Sequence, residues 1–449
     1  MSNALKWIWL SEICGQGSSE VLTLVEKFAS IDEIYDADYD KYCALGVSEH
    51  LAEKLSNKDL EGAKKIINYC QSASVGLLTY DGYDYPASLR SLKNPPVVLY
   101  YAGTLPNFNR SLCISIVGTR KMSEYGMRAA YKIAYEVASS GAIVVSGMAL
   151  GIDGIASCAA VAAGGKTVAV LGCGIDVVYP KEHEKLESII KENGAVITEY
   201  PPSTEPRGSN FPMRNRIISG LSQGTVVVDA DKGSGALITA KNAILQGKDI
   251  YAVPANIDAD NSSGTNMLIR DGAQAVMCGN DIIRNYMFIY RDRLDVQKMI
   301  SSEMRSEFDG KIVQSMGVAV RVYTPTPKKQ DGFDSLHKAG GKKRTPFARK
   351  DTKRDEHKET EKKESTIQIK HHDAPPTPEK GGGDNSKKAL EKLSEKQRRV
   401  FDEMPLDRAV TVDYLTKTGF ALGEVISALT VLEIKGLVSS LPGALYIRR

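Results

Sequence analysis

The feature of this sequence that most constrains its fold is a regular alternation of short apolar runs with helical patterns between residues 113 and 278. The apolar runs lie at 113–118, 142–148, 167–172, 195–200, 224–229, 249–253 and 274–278. The helical patterns lie at about 123–139, 153–163, 181–192, 212–222, 235–246 and 264–271. Such alternation is typical of βαβ units, whose strands lie parallel in one sheet. The sequence therefore predicts an α/β fold with a doubly wound, Rossmann-like and mainly parallel sheet.

The length of 449 residues exceeds what one hydrophobic core supports and predicts several domains. Residues 1–74 carry short helical patterns separated by glycine turns at 13–17 and 45–48. These turns resemble the hairpins of helix-hairpin-helix (SAM-like) modules, and an ordinary helix corner closed by glycine is the alternative. Residues 75–285 form the predicted Rossmann-like core, in which 75–112 is a connector with one or two strands.

A segment of unusual composition, 286–388, separates this core from the C-terminus. Its first part is ambiguous, with 292–308 a candidate for one helix. Residues 327–388 are rich in lysine and mixed in charge. Because such a composition buries too little apolar surface to fold, it predicts a disordered linker.

Residues 389–449 show three helical patterns and then two short strands around a Pro-Gly turn, which is the layout of a winged helix. The third helix, at 422–435, would be the DNA-reading helix of such a domain. Its polar positions include Glu424 and Glu433, and acid facing a phosphate backbone is unfavourable. We therefore expect this domain to contact protein or to dimerise rather than to read the major groove.

The overall charge and the cysteines exclude several classes of protein. Net charge is only +3, so any nucleic-acid site must come from local clusters of cations. No run reaches the roughly 18 apolar residues of a membrane span, and 5–10 is too short for a signal peptide. The seven cysteines contain no C-x-x-C pair, and no cluster of metal ligands stands out. The sequence thus predicts a cytoplasmic protein with reduced thiols, no metal or other cofactor and no membrane contact.

Two neighbouring stretches carry residue types that bind phosphate. Residues 214–216 (Arg-Asn-Arg) follow Pro212, a residue suited to the first turn of a helix. Residues 233–235 (Gly-Ser-Gly) lie between an apolar run and a helical pattern, where backbone N–H groups and a helix N-terminus meet an anion. Guanidinium groups beside such a loop form forked hydrogen bonds with phosphate oxygens. The centre of the chain is therefore predicted to bind a phosphorylated ligand.

The core shows binding residues more clearly than a catalytic pair. Arg120 projects from the end of the first predicted strand, in a loop without the G-x-G-x-x-G spacing of dinucleotide sites. His183 is the one histidine of the core, on an exposed-looking helix, while Asp153 and Glu199 have no partner at a fixed spacing. Covalent catalysis needs a nucleophile and a base within reach of each other. We therefore predict a binding protein and not an enzyme.

Six motifs in order, within about residues 113–280, resemble the DNA-processing protein family DprA (Smf). They are Ser146–Asp153, Gly165–Gly172, Asp176–Pro180, Phe211–Gly220, Ser234–Ala240 and Ala252–Pro254. The helical N-terminal domain and the winged helix are similar to that family's layout. The resemblance implies a cytoplasmic homodimer that binds single-stranded DNA, protects incoming strands during natural transformation and helps to load the RecA recombinase.

The resemblance also implies which residues form the DNA site. Nine positions match the family's pocket: Arg120, Lys166, Phe211, Arg214, Asn215, Arg216, Ser234, Gly235 and Lys241. Cations and loop N–H groups would follow the phosphates, and Phe211 would stack on a base. Plain core packing is the alternative for Phe211, and a solvated surface position is the alternative for Lys166 and Lys241.

Two other classes of protein remain open. A nucleoside-monophosphate phosphoribohydrolase has a similar sheet, but its glycine loop leads into a helix with a catalytic glutamate, and 235–241 contains no acid. A sensor of nucleotide signals would bind mononucleotides tightly and DNA poorly. Three departures from the DprA pattern affect the finer expectations: Ser157 for histidine, Ala255 for glycine, and the long segment 286–388.

Overall fold

The computed structural model describes residues 3–259, 263–302, 305–323, 393–405 and 410–420, and, further on, 424–425, 428–429, 431–432, 435, 437–441 and 445–448. The chain divides into two compact units, Met1–Ala339 and Gly340–Arg449. The predicted linker at 327–388 lies outside the described residues.

The first unit begins with six short helices within its described residues. They are α1 (Asn3–Cys14), α2 (Glu20–Lys27), α3 (Ile31–Asp36), α4 (Tyr39–Ala44), α5 (Glu49–Ser56) and α6 (Glu61–Ser72). The side chains of Ser30, Asp38 and Ser48 each accept a hydrogen bond from a backbone N–H in the helix that follows, which begins three of these helices. Apolar faces pack around the buried Trp7 and Tyr42. The likeness to helix-hairpin-helix modules stays a prediction.

Nine strands among the described residues of this unit form one mixed sheet. They are β1 (Gly76–Thr79), β2 (Val98–Gly103), β3 (Cys113–Val117), β4 (Ile143–Ser146), β5 (Thr167–Val170), β6 (Gly194–Thr198), β7 (Gly224–Val227), β8 (Asp249–Ala252) and β9 (Gln274–Ala275). Their order is β1-β2-β6-β5-β4-β3-β7-β8-β9. Strands β3 to β9 pair in parallel, whereas β2 pairs antiparallel with β1 and β6. The predicted mainly parallel sheet is confirmed, and the connector supplies two strands at one edge.

Helices cover both faces of the sheet. They are α7 (Ala87–Arg90), α8 (Glu124–Ser139), α9 (Ile152–Ala162), a 3-10 helix (Lys181–His183), α10 (Glu184–Glu192), α11 (Asn210–Leu221), α12 (Ala236–Leu245), α13 (Ser263–Arg270) and α14 (Asn280–Ile283). Successive side chains of a strand point to opposite faces. In β3, Ile114 and Ile116 join the apolar layer under α8 and α9, while Cys113 and Val117 join the layer under α11 and α12. The sheet is therefore buried on both sides, as continuous apolar runs require.

The strand order reverses at β3. Strand β4 lies on one side of β3 and β7 on the other, so that the chain moves outward through β6 and then returns. Ser123 joins the two halves here, because its Oγ caps α8 at Gly126 N and also donates to Asp229 Oδ2 at 2.9 Å. Ligands of such sheets bind beyond the carboxyl ends of the strands at this reversal.

The candidate single helix at 292–308 is wrong. The chain forms α15 (Val296–Ser302) and then, after a break, α16 (Gly310–Ser315). Ser306 Oγ donates to Glu136 Oε1 of α8 at 2.9 Å, and the Asp309 carboxylate accepts the N–H groups of Lys311 and Ile312. The Asp309 side chain is thus the N-cap at which α16 begins.

The second unit contains α17 (Glu395–Glu403), α18 (Val412–Lys417), β10 (Val410–Thr411), β11 (Val438–Leu441) and β12 (Leu445–Arg448). The described strands form a sheet in the order β10-β12-β11. Ser394 and Gln397 form a reciprocal cap at the start of α17. The predicted third helix at 422–435 lies partly outside the described residues. Within that range, the described residues 424–425, 428–429 and 431–432 are helical. Helices followed by a hairpin agree with the predicted winged helix.

No helix within the described part of the chain has the length and apolar character needed to cross a membrane. The cysteines are free thiols at all seven positions. Burial raises the pKa of Cys113 and of Cys158 to about 12, which keeps both thiols protonated at neutral pH.

Candidate nucleic-acid interface

A cavity of about 560 Å³ lies at the strand-order reversal, beyond the carboxyl ends of β3 and β7. The amino-terminal ends of α11 and α12 form two of its walls. Its lining includes Thr119, Arg120, Ala149, Asp153, Tyr179, Pro206, Gly208, Phe211, Arg214, Asn215, Asp231, Gly233, Ser234 and Gly235. Six of the nine predicted site residues therefore meet in one cavity.

An aromatic pair with two cations forms one wall of the cavity. The rings of Tyr179 and Phe211 lie 5.2 Å apart at an interplanar angle of 34°. The guanidinium carbon of Arg120 lies 5.4 Å from the Phe211 ring centroid, and that of Arg214 lies 5.9 Å from it. Tyr179 and Arg120 are exposed, whereas Phe211 is half-buried. This wall offers a planar apolar surface bordered by positive charge, which suits a base with its phosphate.

Arg214 forms the floor of the cavity and is 3% exposed. Its Nη1 donates to the backbone carbonyl oxygens of Gly147, at 2.9 Å, and Val170, and so joins the ends of β4 and β5. A Cβ atom at Gly147 would lie 2.6 Å from Arg214 Nη2 and 2.7 Å from Asp153 Oδ2, so any other residue here would displace both side chains. Arg214 thus has a structural role in addition to the charge that it places in the cavity.

Burial shifts the pKa values of two side chains at this floor, Arg214 and Asp153. It lowers the pKa of Arg214 to about 10, an effect that the charge of Asp153 opposes. Burial also raises the pKa of Asp153, and the Arg214 guanidinium opposes that shift. At neutral pH the arginine is charged, and each group favours the ionised form of the other.

The opposite wall is the loop Asp231–Gly235, referred to below as the glycine loop. Asp231 Oδ1 accepts the N–H of Gly233 at 3.0 Å, and Ser234 Oγ accepts the N–H of Ala236 at 3.3 Å. A Cβ atom at Gly235 would meet nothing within 4 Å, so the space in front of α12 is open. The loop therefore presents a helix N-terminus to the cavity, although Asp231 adds one acid there.

Asn215 connects the floor to the glycine loop. Its Oδ1 accepts Arg214 Nε at 3.2 Å, and its Nδ2 approaches the carbonyl oxygen of Gly235 at 3.5 Å. Because one amide contacts both elements, the guanidinium and the helix N-terminus keep a defined separation. The sequence predicted that both stretches bind phosphate, and the structure brings them together at one cavity.

Three predicted residues do not line the cavity. Arg216 is buried and donates through both Nη atoms to the Glu199 carboxylate, at 2.9 and 2.6 Å. Lys166 immediately precedes β5 and lies at the amino edge of the sheet, opposite the cavity. Lys241 is exposed and lies in the second turn of α12. The structure therefore separates these side chains from the other six.

Tyr179, Pro206 and Gly208 line the cavity although the sequence did not single them out. Tyr179 lies in the motif 176–180, so its aromatic ring next to a proline was a usable signal. Ser157 is buried within α9, and Ala255 exchanges two hydrogen bonds with the Asn266 side chain, at 3.2 and 3.0 Å. Neither residue lines the cavity, so these two departures leave its walls intact.

The expectation that His183 lies on an exposed helix is wrong. It ends the 3-10 helix and is fully buried against α9, where a Cβ atom at Gly154 would lie 2.7 Å from its Cε1. Its Nδ1 donates to the carbonyl oxygen of Met148 at 3.1 Å, and its Nε2 is buried without a partner among the described residues. The charged neighbours Lys181 and Glu184 gave the misleading pattern. His183 is a neutral packing residue.

The buried His183 predicts a loss of stability in acid. Burial lowers its pKa from the usual 6.5, so below that pH the unfolded chain binds a proton that the folded chain does not. The free energy of unfolding should fall as pH drops from 7.5 to 5.5. The variant His183→Gln keeps a donor for the Met148 carbonyl. Its free energy of unfolding, measured by urea titration, should fall less over the same pH range. Equal falls for the two proteins would contradict this account.

Among the described residues, no group of three or more His, Cys, Asp or Glu side chains is placed to hold a metal ion. The acids of the cavity, Asp153 and Asp231, are held by backbone N–H groups. The chemistry that the cavity offers is electrostatic and aromatic contact.

Comparison with known proteins matches both units to described families. The family described as DNA recombination-mediator protein A matches residues 76–287, and the DprA winged helix domain matches residues 384–444. Protein Smf of Synechocystis sp. is 31% identical over 461 residues, which cover all of both chains. DNA processing protein DprA of Bacillus subtilis is 35% identical over 218 residues, or 49% of this chain and 73% of the relative. The X-ray structure of DNA processing protein A from Streptococcus pneumoniae matches with a TM-score of 0.56 and 30% identity, over 63% of this chain and 98% of that one.

Proposed function

The chain belongs to the DprA (Smf) family of DNA-processing recombination mediators, and from that premise we propose that it binds single-stranded DNA in the cavity at the strand-order reversal. The observation that carries the proposal is the meeting of an aromatic pair, Tyr179 and Phe211, with two arginines and an open helix N-terminus. Bases stack on such rings, and phosphates bind cations and free N–H groups.

The geometry favours a single strand over a duplex. Phe211 contacts a base only if the face of that base is free, and in a duplex both faces are stacked on neighbouring pairs. In this proposal Arg120, at the exposed rim, and the glycine loop hold the phosphates next to the stacked base, which the lining of one cavity by both supports. Buried Arg214 adds charge from below. We therefore assign binding to Arg120, Tyr179, Phe211, Arg214, Asn215, Ser234 and Gly235.

The wider role that we propose follows the family. The protein would protect incoming strands in the cytoplasm during natural transformation, act as a homodimer and help to load RecA on the bound strand. In this proposal it acts by binding and not by catalysis. The acidic positions of the segment 422–435 support a protein-contact role for the winged helix.

Binding of labelled single-stranded and duplex oligonucleotides across a salt series tests this proposal. We expect tighter binding of the single strand, with log affinity falling by about 0.7 per phosphate contact for each log unit of salt. Arg120→Ala should weaken binding about tenfold because one charged contact is lost, whereas Lys166→Ala, at the opposite edge of the sheet, should bind like the parent.

Two results would contradict the proposal. Equal affinity of the parent for single strand and duplex would exclude base stacking in the cavity. Tight binding of a mononucleotide with no DNA binding would favour the nucleotide sensor, and release of free base from that mononucleotide would favour the phosphoribohydrolase.

A further inference from the structure

The chain that follows the sheet returns to the cavity. Helix α16 (Gly310–Ser315) packs on α9, and residues 316–323, referred to below as the strap, continue from it and end next to two loops of the cavity. These residues belong to the segment 286–388, whose length departs from the DprA pattern. The family resemblance therefore gives no account of the strap, whereas its contacts do.

The start of the strap is fixed against two helices of the core. Gly317 closes α16 with a φ of 72°, and a Cβ atom there would lie 2.8 Å from the Lys185 Cβ of α10. Val318 is buried, and its Cγ1 would lie 3.2 Å from a Cβ atom at Gly154 of α9. The strap therefore leaves the core from a defined position.

The first contact of the strap with the cavity loops is an ion pair. Arg321 Nη2 donates to Glu182 Oε1 at 3.0 Å. Glu182 lies in the 3-10 helix that begins two residues after Tyr179, whose ring lies 5.2 Å from that of Phe211. Because Arg321 and Glu182 are both exposed, this ion pair is weak by itself. It nevertheless joins the strap to the segment that carries one ring of the cavity wall.

The second contact is with the loop that carries Arg120. Tyr323 N donates to the carbonyl oxygen of Met122 at 2.8 Å, next to a parallel β-bridge between the strap and this loop. Met122 is fully buried. At the other end of the loop, Thr119 N donates to the carbonyl oxygen of Asp229 at 2.6 Å. Arg120 therefore lies between two positions that backbone hydrogen bonds hold, and the strap supplies one of them.

We propose that the strap positions the aromatic and cationic wall of the cavity for single-stranded DNA, by joining the loop that carries Arg120 to the segment that carries Tyr179. This inference rests on the proposed binding of single-stranded DNA. The two contacts lie two residues apart in the strap, so one short stretch sets the separation of the two loops. An arginine on a fixed loop loses less conformational freedom when it binds a phosphate, which strengthens binding. Arg321 and Tyr323 are therefore positioning residues.

Removal of one backbone donor tests the contact with the Arg120 loop. Tyr323→Pro and Tyr323→Ala both lose the side chain, but only the proline variant also loses the N–H that the Met122 carbonyl accepts. Tyr323→Pro should bind a labelled single-stranded oligonucleotide about threefold more weakly than Tyr323→Ala, and with a smaller salt slope. In an Arg120→Ala background the two variants should bind equally, because a positioning residue acts only through the group that it positions.

The ion pair with Glu182 has its own matched test. Arg321→Ala should weaken binding about twofold in the parent and should have no effect in Glu182→Gln, because the glutamine variant already lacks the ion pair. An equal loss in both backgrounds would mean that Arg321 itself binds a phosphate, against this inference. Since both side chains are exposed, these variants should keep the fold of the parent even if the proline variant does not.

Titrations of the full chain and these variants run over a salt series, well below each midpoint of thermal unfolding. If Tyr323→Pro and Tyr323→Ala bind equally while Arg120→Ala loses binding, this inference is wrong and the proposed function stands. A loss in Tyr323→Pro that is the same with and without Arg120 would show a general loss of fold and would also overturn the inference. If the parent does not bind the oligonucleotide, the proposed function fails and this inference fails with it.

Discussion

Arg216→Ala is expected to lower the free energy of unfolding by about 3–5 kcal/mol while leaving the DNA affinity of the folded protein unchanged. The Arg216 and Glu199 side chains are 6% and 2% exposed, and they meet through two parallel hydrogen bonds. Removal of the arginine leaves the Glu199 carboxylate buried without its counter-ion. Urea unfolding measures the first effect, and oligonucleotide titration at low temperature measures the second.

A charge-neutral pair distinguishes the loss of the ion pair from the loss of a DNA contact. Arg216→Met combined with Glu199→Gln removes both charges, so the double variant should recover most of the stability lost in Arg216→Ala. If DNA affinity falls in Arg216→Ala and stays low in the more stable double variant, Arg216 contacts DNA.

The sheet could be predicted from the sequence because its physical cause is local. A parallel strand buried on both faces must be apolar at nearly every position, and the runs at 113–118 and 224–229 show this directly. The order of the strands sets the location of the cavity, and that location followed from the rule that ligands bind at the carboxyl ends of parallel strands.

The residues that line the cavity were harder to predict, because Arg214, Asn215 and Arg216 are adjacent in sequence but do not share one face of α11. Successive residues of an α-helix are about 100° apart around its axis. Arg214 and Arg216 are two positions apart, so they lie on nearly opposite sides of the helix and cannot face the same cavity. One therefore lines the cavity, and the other pairs with Glu199 in the core. Helix geometry alone therefore separates these two arginines.

Other features depend on contacts that spacing does not show. His183 is buried because the segment before α10 packs on α9, although charged neighbours surround it in sequence. The loop before α11 is held by the Asp176–Ser203 interaction, which joins residues 27 positions apart in the chain. Loop conformations of this kind follow from tertiary structure rather than from local pattern.

Arg214→Ala is expected to reduce both the free energy of unfolding and the DNA affinity. Its loss of DNA affinity should exceed that of Arg120→Ala. Loss of the guanidinium leaves the carbonyl oxygens of Gly147 and Val170 without their donor, for a cost of about 2–4 kcal/mol. It also removes from the Asp153 carboxylate the cation that most favours its charged form. Urea unfolding and oligonucleotide titration of the folded variant should show both effects, with affinity more than about thirtyfold weaker.

The Asp153 carboxylate allows the two parts of this effect to be separated. In Arg214→Ala the pKa of Asp153 rises further, and the fraction of the carboxyl that stays ionised beside the phosphate site repels the DNA, whereas the amide of Asp153→Asn carries no charge. The double variant Arg214→Ala with Asp153→Asn should therefore bind several times more tightly than Arg214→Ala, while the two carbonyl oxygens still lack their donor and part of the stability loss remains.

If Asp153→Asn restores no binding, the arginine acts on DNA only through the shape of the floor. If Arg214→Ala binds like the parent, the strand does not enter this cavity. Arg120 is exposed, and its side chain has no hydrogen bond to the backbone among the residues that the structure describes, so its loss should affect binding alone. Comparison of the two arginines therefore separates a residue that binds DNA from one that also builds the site.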